Sequence, residues 1–528
     1  MPALLRAMLS ISAATVLSRV TGYARWMAQA AVLANTYLAD AYAVSILLPS
    51  LIYELFLGGI LYSIFIPVLV ERMTTHGEED AQRLTNALLT LILPLMALLA
   101  LAGAVFAEPL VTLFTDWRAA DELSPGEAER TTELAVLFFR IFAFQMLFYG
   151  VSTIATGVLQ AHRRFFLPTF APVLNNIIVM ASFAGYWLLD GRGADGAAIY
   201  LLAFGTTFGV VVMALALIPT LYALGYRLRP LVNHPALLST ARLAGPMVVL
   251  VAASVAFQAF GAYLATQFKA VAALNYAFVI FSLPYGVFVV AIATALMPEL
   301  SEKHARGDVE GYRDTFSFGL RTMVFVVVPS AVGMISLSEP IVGLLYERGR
   351  FGAQDTLIVS TLLAVYAAGL LGYSAYFFFV RAFYSRQNTV TPALLNVAIF
   401  VLYAGLAYGL SRVLGVVGVV IALSAAYAVL AALSLVATRR EIKRIDGRRL
   451  LDSVVRILAA GAVMYAVAWA GTALFGVGAN FPERLLVLAG IGGASLATYL
   501  GVAYLLRVDE LRSVVVLLRR RGTTGADG

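Results

Sequence analysis

The chain has 528 residues, of which 61% are hydrophobic and only 13% are charged, and its mean hydropathy is +0.87. No soluble fold of this length buries so much apolar surface, so the composition predicts a polytopic membrane protein. The sequence holds no cysteine and four histidines, which excludes disulfides and thiolate metal sites and argues against a zinc site.

Long hydrophobic runs follow one another along the whole chain. Because roughly 20 apolar residues cross the hydrocarbon core of a bilayer, these runs predict about fourteen transmembrane helices. The predicted spans are 8–34, 38–70, 86–108, 131–158, 165–189, 196–222, 240–266, 271–298, 316–338, 355–384, 390–411, 414–437, 453–474 and 484–506. The expected fold class is therefore an all-α polytopic membrane protein.

The distribution of basic residues predicts the orientation. With a cytoplasmic N-terminus, the inside loops and tails hold about 25 of the Lys and Arg residues and the outside loops about 8, as the positive-inside rule requires. Since the span count is even, both termini are predicted to be cytoplasmic. The basic segments 438–449 and 519–521 are interpreted as topology signals and contacts to anionic membrane lipids, so the net charge of +7 gives no reason to expect a nucleic-acid partner.

Two short patterns recur six predicted helices apart. A Pro-x-Leu-x-Glu pattern occurs at 67–71 and at 298–302, and a Pro-x-Leu-x-Asn pattern occurs at 172–176 and at 392–396. A shift of six helices preserves orientation, which predicts two parallel six-helix lobes with the substrate at the bilayer midplane between them. The predicted division is a first lobe at 1–230, a second lobe at 231–445, two extra helices at 446–510 and a basic cytoplasmic tail at 511–528.

Two arginines, Arg19 and Arg25, lie within the first predicted span. A charge at bilayer depth costs a few kcal/mol or more, so such residues face a watery cavity or a partner. Six residues of helix rotate the two side chains about 120° apart, which lets both border one wide cavity. The planar guanidinium fork suits a diphosphate, so we expect a pathway for an anionic substrate. The alternative is that one arginine snorkels or pairs with Asp40.

Three further charged residues are candidates for the same cavity. Asp40 begins the second span and either balances an arginine when substrate is absent or caps a helix N-terminus. Glu54 lies inside that span and is either a proton or cation site or a structural partner for an arginine. Arg140, in the fourth span, is either a third cavity cation or the partner of a carboxylate.

Prolines and glycines mark the candidate hinges. The second span is long, and Pro49 together with Gly58 and Gly59 predicts a break in it. Pro284 and Gly286 occupy a similar place in the eighth span. Each of these positions is either a hinge or gate or a static kink. The buried amides of Asn175, Asn176 and Asn396 are interpreted as hydrogen bonds between helices.

No enzyme motif is present in the sequence. It contains no nucleotide phosphate loop, no serine elbow and no pair of metal ligands at helical spacing, so neither a catalytic residue nor a cofactor is expected. The sequence therefore favours a secondary transporter driven by the membrane potential or an ion gradient.

A set of motifs adds a family resemblance. The first is Ser18-Arg19-Val20-x-Gly22-Tyr23-Ala24-Arg25, followed by Ala39-Asp40-Ala41-Tyr42. Later ones are Phe65-Ile66-Pro67-Val68-Leu69, Leu283-Pro284-Tyr285-Gly286-Val287-Phe288, Leu296-Met297-Pro298-Glu299-Leu300-Ser301, Glu347-Arg348-Gly349-Arg350-Phe351 and Arg381-Ala382-Phe383-Tyr384. Over residues 8 to 510 the chain resembles the lipid II flippase family (MurJ, formerly MviN) of the multidrug/oligosaccharidyl-lipid/polysaccharide exporter superfamily.

The resemblance implies a bacterial inner-membrane protein with two lobes around a central cavity. Its cargo would be the undecaprenyl-diphosphate-linked disaccharide pentapeptide, moved from the cytoplasmic to the outer leaflet by alternating access. Cavity arginines would meet the diphosphate, and Arg19, Arg25 and Asp40 match family cavity positions. The lipid tail would follow a groove beside the two extra helices. Cell-wall synthesis proteins are possible partners.

The chain also departs from the family pattern. After the proline of the second span the family has Asn, a pair of arginines and Glu-Gly, whereas this chain has Ser50-Leu51-Ile52-Tyr53-Glu54 and then Gly58-Gly59. Leu47 and Val279 stand where the family has basic residues. No Asp or Glu lies in 240–266 or 390–411, so the sodium site of some relatives is not expected. Either other arginines such as Arg140 substitute, or the cargo differs.

Three other functions stay open at this point. The first is a flippase for another polyprenyl-diphosphate-linked saccharide, which the reduced arginine set favours. The second is a proton- or cation-coupled exporter of small organic cations that uses Glu54 and Asp40. The third is a membrane scaffold for cell-wall enzymes that transports nothing.

Overall fold

The computed structural model describes residues 2–511 except for 57–64, 121–122, 194, 228, 232–233 and 443–446. Every regular element within these residues is helical. This confirms the predicted all-α class.

Ten of the described helices are long and apolar enough to cross a membrane, or eleven if the bent pair at 353–384 counts as one span. The protein is therefore a multi-span helical membrane protein. The predicted number of fourteen is consistent with these helices, because the first helix, the helix at 235–266 and the double helix at 390–442 add to that count. In lipid such helices satisfy their own backbone hydrogen bonds, which is why long apolar runs adopt this structure.

The chain forms two compact units. The N-terminal unit comprises residues 1–272 together with 348–351, and the C-terminal unit comprises the remainder. The lobe boundary at 230 stays a prediction, as do the two parallel lobes and the separate status of the last two helices.

The N-terminal unit is a bundle of long helices. α1 and α9 both pack on α8, α2 packs on α6, and α4 packs on α7. Its helices are α1 (Pro2–Leu33), α2 (Tyr37–Phe56), α3 (Ile66–Thr75), α4 (Glu78–Val105), α5 (Ala107–Leu113), α6 (Pro125–Phe142), α7 (Gln145–Ala161), α8 (Phe166–Asp190), α9 (Asp195–Leu215), α10 (Ile218–Ala223) and α11 (Pro235–Thr266).

An aromatic cluster forms the centre of this unit. The ring of Tyr42 contacts the rings of Phe138, Phe142 and Phe183 at centroid distances of 5.6–5.7 Å, and all four side chains are buried. Edge-to-face contacts of this kind stabilise helix packing beyond the area they bury. The cluster fixes α2 against α6 and α8, and so fixes the position of Asp40 two residues before Tyr42.

The C-terminal unit is built in the same manner. α17 packs on α18, α14 packs on α19, and α19 packs on α21. Its helices are α12 (Val271–Pro284, whose first two residues belong to the N-terminal unit), α13 (Val290–Ala305), α14 (Val309–Ser336), α15 (Ser338–Tyr346), α16 (Ala353–Ala368), α17 (Leu370–Tyr384), α18 (Val390–Ile442), α19 (Gly447–Phe475), α20 (Phe481–Val487) and α21 (Gly493–Leu505).

Three irregularities interrupt the helices of this unit. Gly415 has φ +59°, which divides α18 into two helices close to the predicted boundary between spans eleven (390–411) and twelve (414–437). Only glycine adopts this conformation readily. Segments of π-helix lie at Tyr285–Val289 and Leu488–Gly492, within the predicted spans eight and fourteen. Such π-segments are often found at functional sites.

Candidate substrate site

The two arginines of α1 differ in their surroundings. Arg19 is exposed, whereas Arg25 is partly buried with its guanidinium 5.5 Å from the ring centre of Trp26. The Nε atom of Arg25 is buried and has no hydrogen-bond partner among the described residues. A buried donor without a partner costs about 1–3 kcal/mol, so this atom is suited to receive an anionic oxygen.

Arg25 interacts electrostatically with two phenols inside the N-terminal unit. Its charge acts on the phenols of Tyr42 and Tyr149. The Tyr149 hydroxyl donates to Oε1 of Gln145 (3.1 Å), and Nε2 of Gln145 donates to the Thr207 hydroxyl (3.2 Å). These bonds connect polar side chains of α7 and α9 within an otherwise apolar bundle. Through Tyr149, on whose phenol Arg25 acts, the predicted site is linked to neutral hydrogen-bonding groups that the sequence alone did not indicate.

Asp40 is fully buried and accepts hydrogen bonds with both carboxylate oxygens. The donors are the backbone N–H groups of Val271 (3.3 Å) and Ala272 (2.8 Å), the first two residues of α12. Of the two predicted roles, these bonds support helix capping, although the capped helix is α12 and not the helix that carries Asp40. A carboxylate at a helix N-terminus satisfies unpaired N–H groups and complements the helix dipole.

α2 continues through Pro49 to Phe56, so the helix does not end at the predicted break.

Glu54, five residues after Pro49 on the same helix, is partly buried. Its Oε2 accepts a long hydrogen bond from Nε2 of Gln258 (3.4 Å). Gly58 and Gly59 lie outside the described residues. A role of Glu54 or Pro49 in transport stays a prediction.

Arg140 is exposed on α6 and makes no ion pair or side-chain hydrogen bond within the described part of the chain. One of the two interpretations was that Arg140 pairs with a carboxylate, and no such pair is seen among the described residues. Its alternative role as a cavity cation stays a prediction.

Pro284 directly precedes the π-helical segment at Tyr285–Val289, and Gly286 lies within it. Space is open beside Gly286, since a Cβ built on it meets no atom within 4 Å. The backbone is irregular where the sequence predicts a hinge, and the hinge itself stays a prediction.

Asn176 donates from Nδ2 to the Thr21 hydroxyl (3.2 Å), which confirms the interhelical interpretation for this residue.

A docked loop was missed by sequence reasoning. Residues 348–351 pack on the N-terminal unit, where the backbone N–H of Arg350 donates to the carbonyl of Ala31 (2.8 Å) and its guanidinium pairs with Asp190. Burial lowers the pKa of Arg350, but the bonds to Asp190 and Tyr186 outweigh it, so that the pKa is raised. The motif around Gly349 is part of the family resemblance, but nothing in its sequence identifies its distant partners.

Two buried ion pairs within the C-terminal unit were also missed. Arg321 on α14 pairs with Glu510 at 2.7 Å, and their side chains are only 5% and 1% exposed. Arg484 on α20 pairs with Glu347 at 2.8 Å. These pairs hold the two ends of the segment that contains α20 and α21 to the rest of the unit.

A cavity of about 580 Å³ lies between α19 and the segment formed by α20 and α21. Its lining is mostly apolar and includes Val467, Gly471, Phe475, Leu486 and Ile491, with Glu483 as the charged member. Its apolar lining suits an apolar chain. Among the described residues, no group of three or more His, Asp or Glu is placed to hold a metal ion.

Comparisons with solved structures identify the fold. A lipid II flippase MurJ in an inward closed conformation aligns with a TM-score of 0.76 at 22% identity, covering 96% of this chain and 99% of the other. An inward-facing MATE multidrug resistance transporter aligns with a TM-score of 0.66 at 16% identity, covering 83% and 98%. The fold is therefore the one that these two transporter structures share.

Comparisons of sequence identify the family. The family model for lipid II flippase MurJ matches residues 29–484. The lipid II flippase MurJ of Burkholderia cenocepacia is 28% identical over 75% of this chain and 76% of its own length. The probable lipid II flippases of Rhizobium meliloti and Vibrio cholerae are 28% and 27% identical over 94% and 97% of this chain, and over 92% and 98% of their own lengths. The chain belongs to the lipid II flippase MurJ family.

Proposed function

We propose that this protein is a lipid II flippase, a transporter and not an enzyme. It moves the undecaprenyl-diphosphate-linked peptidoglycan precursor from the inner to the outer leaflet of the bacterial cell membrane by alternating access. The observation that carries the proposal is the family match over residues 29–484, which includes the span with Asp40 and the C-terminal part of α1. Both termini are cytoplasmic in this proposal.

Arg25 is the primary diphosphate ligand in this proposal. Its buried Nε has no hydrogen-bond partner among the described residues, and its guanidinium makes no ion pair with them. A diphosphate oxygen would satisfy that donor with a charged hydrogen bond of about 1.5–3 kcal/mol. Arg19, exposed on the same helix, supplies a second cation.

The remaining predicted residues have supporting roles. Asp40 keeps the start of α12 in place, and the irregular backbone after Pro284 bends when the lobes rock. The apolar cavity beside α19 accommodates part of the prenyl tail. Glu54 and Arg140 adjust the charge of the pathway. Membrane lipids surround the protein, and cell-wall synthesis proteins are proposed partners.

A flippase for another polyprenyl-diphosphate-linked saccharide is the second candidate. It is favoured by the residues at 50–54 and by Leu47 and Val279, which stand in place of family basic residues. Both candidates place a diphosphate at Arg25, and they differ in the saccharide.

A competition experiment separates these functions. The purified protein is mixed with equimolar lipid II, undecaprenyl diphosphate and undecaprenyl phosphate, and the bound lipids are counted by native mass spectrometry. We expect lipid II to dominate and Arg25→Ala to remove that preference. Equal binding of lipid II and undecaprenyl diphosphate would favour the second candidate, and binding of none of them would contradict both.

A further inference from the structure

A row of aromatic residues ending in an arginine follows one face of α17. Tyr373, Phe377, Arg381 and Tyr384 are spaced by four, four and three residues, which places them on the same side of a helix. We call these four residues, with Tyr285 opposite them, the aromatic row. None of the five side chains is fully buried.

The rings of the aromatic row touch each other and the π-helical segment. Tyr285 lies 5.0 Å from Tyr373 and 4.9 Å from Phe377, measured between ring centroids. Tyr373 and Phe377 are 4.8 Å apart, and Tyr427 of α18 lies 4.8 Å from Tyr373 on the other side. The contacts hold the rings in fixed positions, so they form a pre-formed surface.

Arg381 is the charged end of the aromatic row. It lies one helical turn from Phe377 and from Tyr384, and its charge acts on the phenols of Tyr285 and Tyr384. It is exposed and makes no ion pair or side-chain hydrogen bond with the described residues. Arg381 lies in the last turn of α17, where an exposed guanidinium reaches the water at the end of the span because a charge in hydrocarbon is expensive. The Arg381 end of the aromatic row therefore borders water.

We infer that the aromatic row binds the saccharide–phosphate part of the transported lipid, an inference that rests on the proposed function. A pyranose ring presents C–H groups to the electron-rich faces of Tyr285 and Phe377, as aromatic edges do in ring pairs. Arg381 donates a forked pair of hydrogen bonds to an anionic oxygen of the same head group.

The positive charge of Arg381 argues against two other ligands for the aromatic row. A small organic cation would be repelled by the guanidinium, and a prenyl chain would leave its donors unpaired beside hydrocarbon. A ligand with an anion next to a ring of C–H groups satisfies both parts of the row. Arg381 thereby supplies positive charge in a chain in which several basic residues of the family pattern are replaced.

The experiment measures binding of two probes to the purified full-length protein: lipid II, and undecaprenyl diphosphate, which has no saccharide. Arg381→Gln is expected to weaken both probes about tenfold, since it removes charged hydrogen bonds. Arg381→Lys keeps the charge without the fork, so its loss is expected to be smaller. Phe377→Leu and Tyr285→Leu are expected to weaken lipid II roughly fivefold and leave undecaprenyl diphosphate unchanged.

A matched control exists in the same unit. Arg412 and Tyr408 form an exposed arginine–aromatic pair on α18, with the guanidinium 5.0 Å from the ring centre. Arg412→Gln and Tyr408→Leu should bind both probes like wild type. Gel filtration establishes that every variant is folded.

The outcomes separate this inference from the proposed function. If the wild type prefers lipid II and the variants of the aromatic row bind like wild type, the inference is overturned while the function stands. If Phe377→Leu weakens both probes equally, the row does not contact the saccharide and the inference fails. If the wild type binds neither probe, the proposed function fails and the inference with it.

Discussion

Asp40, which has no exposed surface, accepts a 2.8 Å hydrogen bond from the backbone N–H of Ala272. Its other carboxylate oxygen accepts from Val271 at 3.3 Å, so one side chain satisfies two unpaired donors at the start of α12. The residues involved are 231 and 232 positions apart. The sequence suggests Asp40 as a cavity residue. In the structure its carboxylate also caps the start of α12, a helix that is distant in the chain.

Asp40→Asn tests this capping role. An amide offers one acceptor, and its NH₂ group would face a backbone N–H, so one charged hydrogen bond of about 1.5–3 kcal/mol is lost. We expect a lower midpoint of thermal unfolding for the detergent-solubilised protein. Asp314→Asn, at an exposed position on α14, is the control and should leave the midpoint unchanged. Equal midpoints for both variants would show that the cap contributes no stability.

The Arg321–Glu510 pair predicts a large asymmetry between single and double substitutions. Glu510→Gln leaves a buried guanidinium without its counter-charge and should cost about 3–5 kcal/mol. The double variant Arg321→Met/Glu510→Met removes both charges and should recover most of that loss. Thermal unfolding of all three proteins measures the difference.

The exposed pair of Arg449 and Asp509, at 3.6 Å, provides the comparison for this prediction. Asp509→Asn should change stability by less than about 1 kcal/mol, since exposed pairs are screened by solvent. If Glu510→Gln has an effect as small as that of Asp509→Asn, the buried pair does not hold α14 to the C-terminal segment.

Gly343→Ala tests the ion pair of Arg484 and Glu347, because the added methyl group would displace the Arg484 guanidinium. A Cβ at this position would lie 2.6 Å from the Cζ atom of Arg484, so the guanidinium must move away from Glu347. We expect a lower unfolding midpoint. Gly405→Ala, inside α18 with no atom within 4 Å of the added Cβ, should instead stabilise the protein by about 0.5–1 kcal/mol. The same sign for both substitutions would contradict the packing argument.

Gly349→Ala tests the docked loop. Gly349 has φ +63°, and an added Cβ would lie 2.3 Å from the carbonyl oxygen of Ala31. Both the backbone strain and the clash oppose the bond from Arg350 to Ala31. Hydrogen exchange of the amide of Arg350 should therefore accelerate. Gly352→Ala, where φ is −99° and no atom lies within 4 Å, should leave that exchange rate unchanged.

Much of the fold could be predicted because the information is local. Long apolar runs define membrane helices wherever they occur, and the short gap between the predicted spans at 390–411 and 414–437 indicated the turn that Gly415 makes. The π-helical segment at Tyr285–Val289 was not predictable as such. Pro284 and Gly286 indicate an irregular backbone without specifying its hydrogen bonding.

The residues of the candidate site also differ in how far the sequence alone predicts them. Arg25 and Asp40 were found because each is a charge among apolar residues. Arg321 has that same property inside α14 and was missed, and its partner Glu510 is known only from tertiary packing. Whether a buried charge faces another side chain or a substrate depends on which helices meet, and the sequence of one helix does not contain that information.

The most direct test of the proposed function is made in cells depleted of their own lipid II flippase. This chain and its Arg25→Ala variant are expressed there, their membrane insertion is verified, and the lipid II accessible from outside is measured. The account predicts that the wild type restores lipid II in the outer leaflet and that Arg25→Ala, at equal expression, does not. A correctly inserted, well-expressed wild type that leaves lipid II in the inner leaflet would contradict the account.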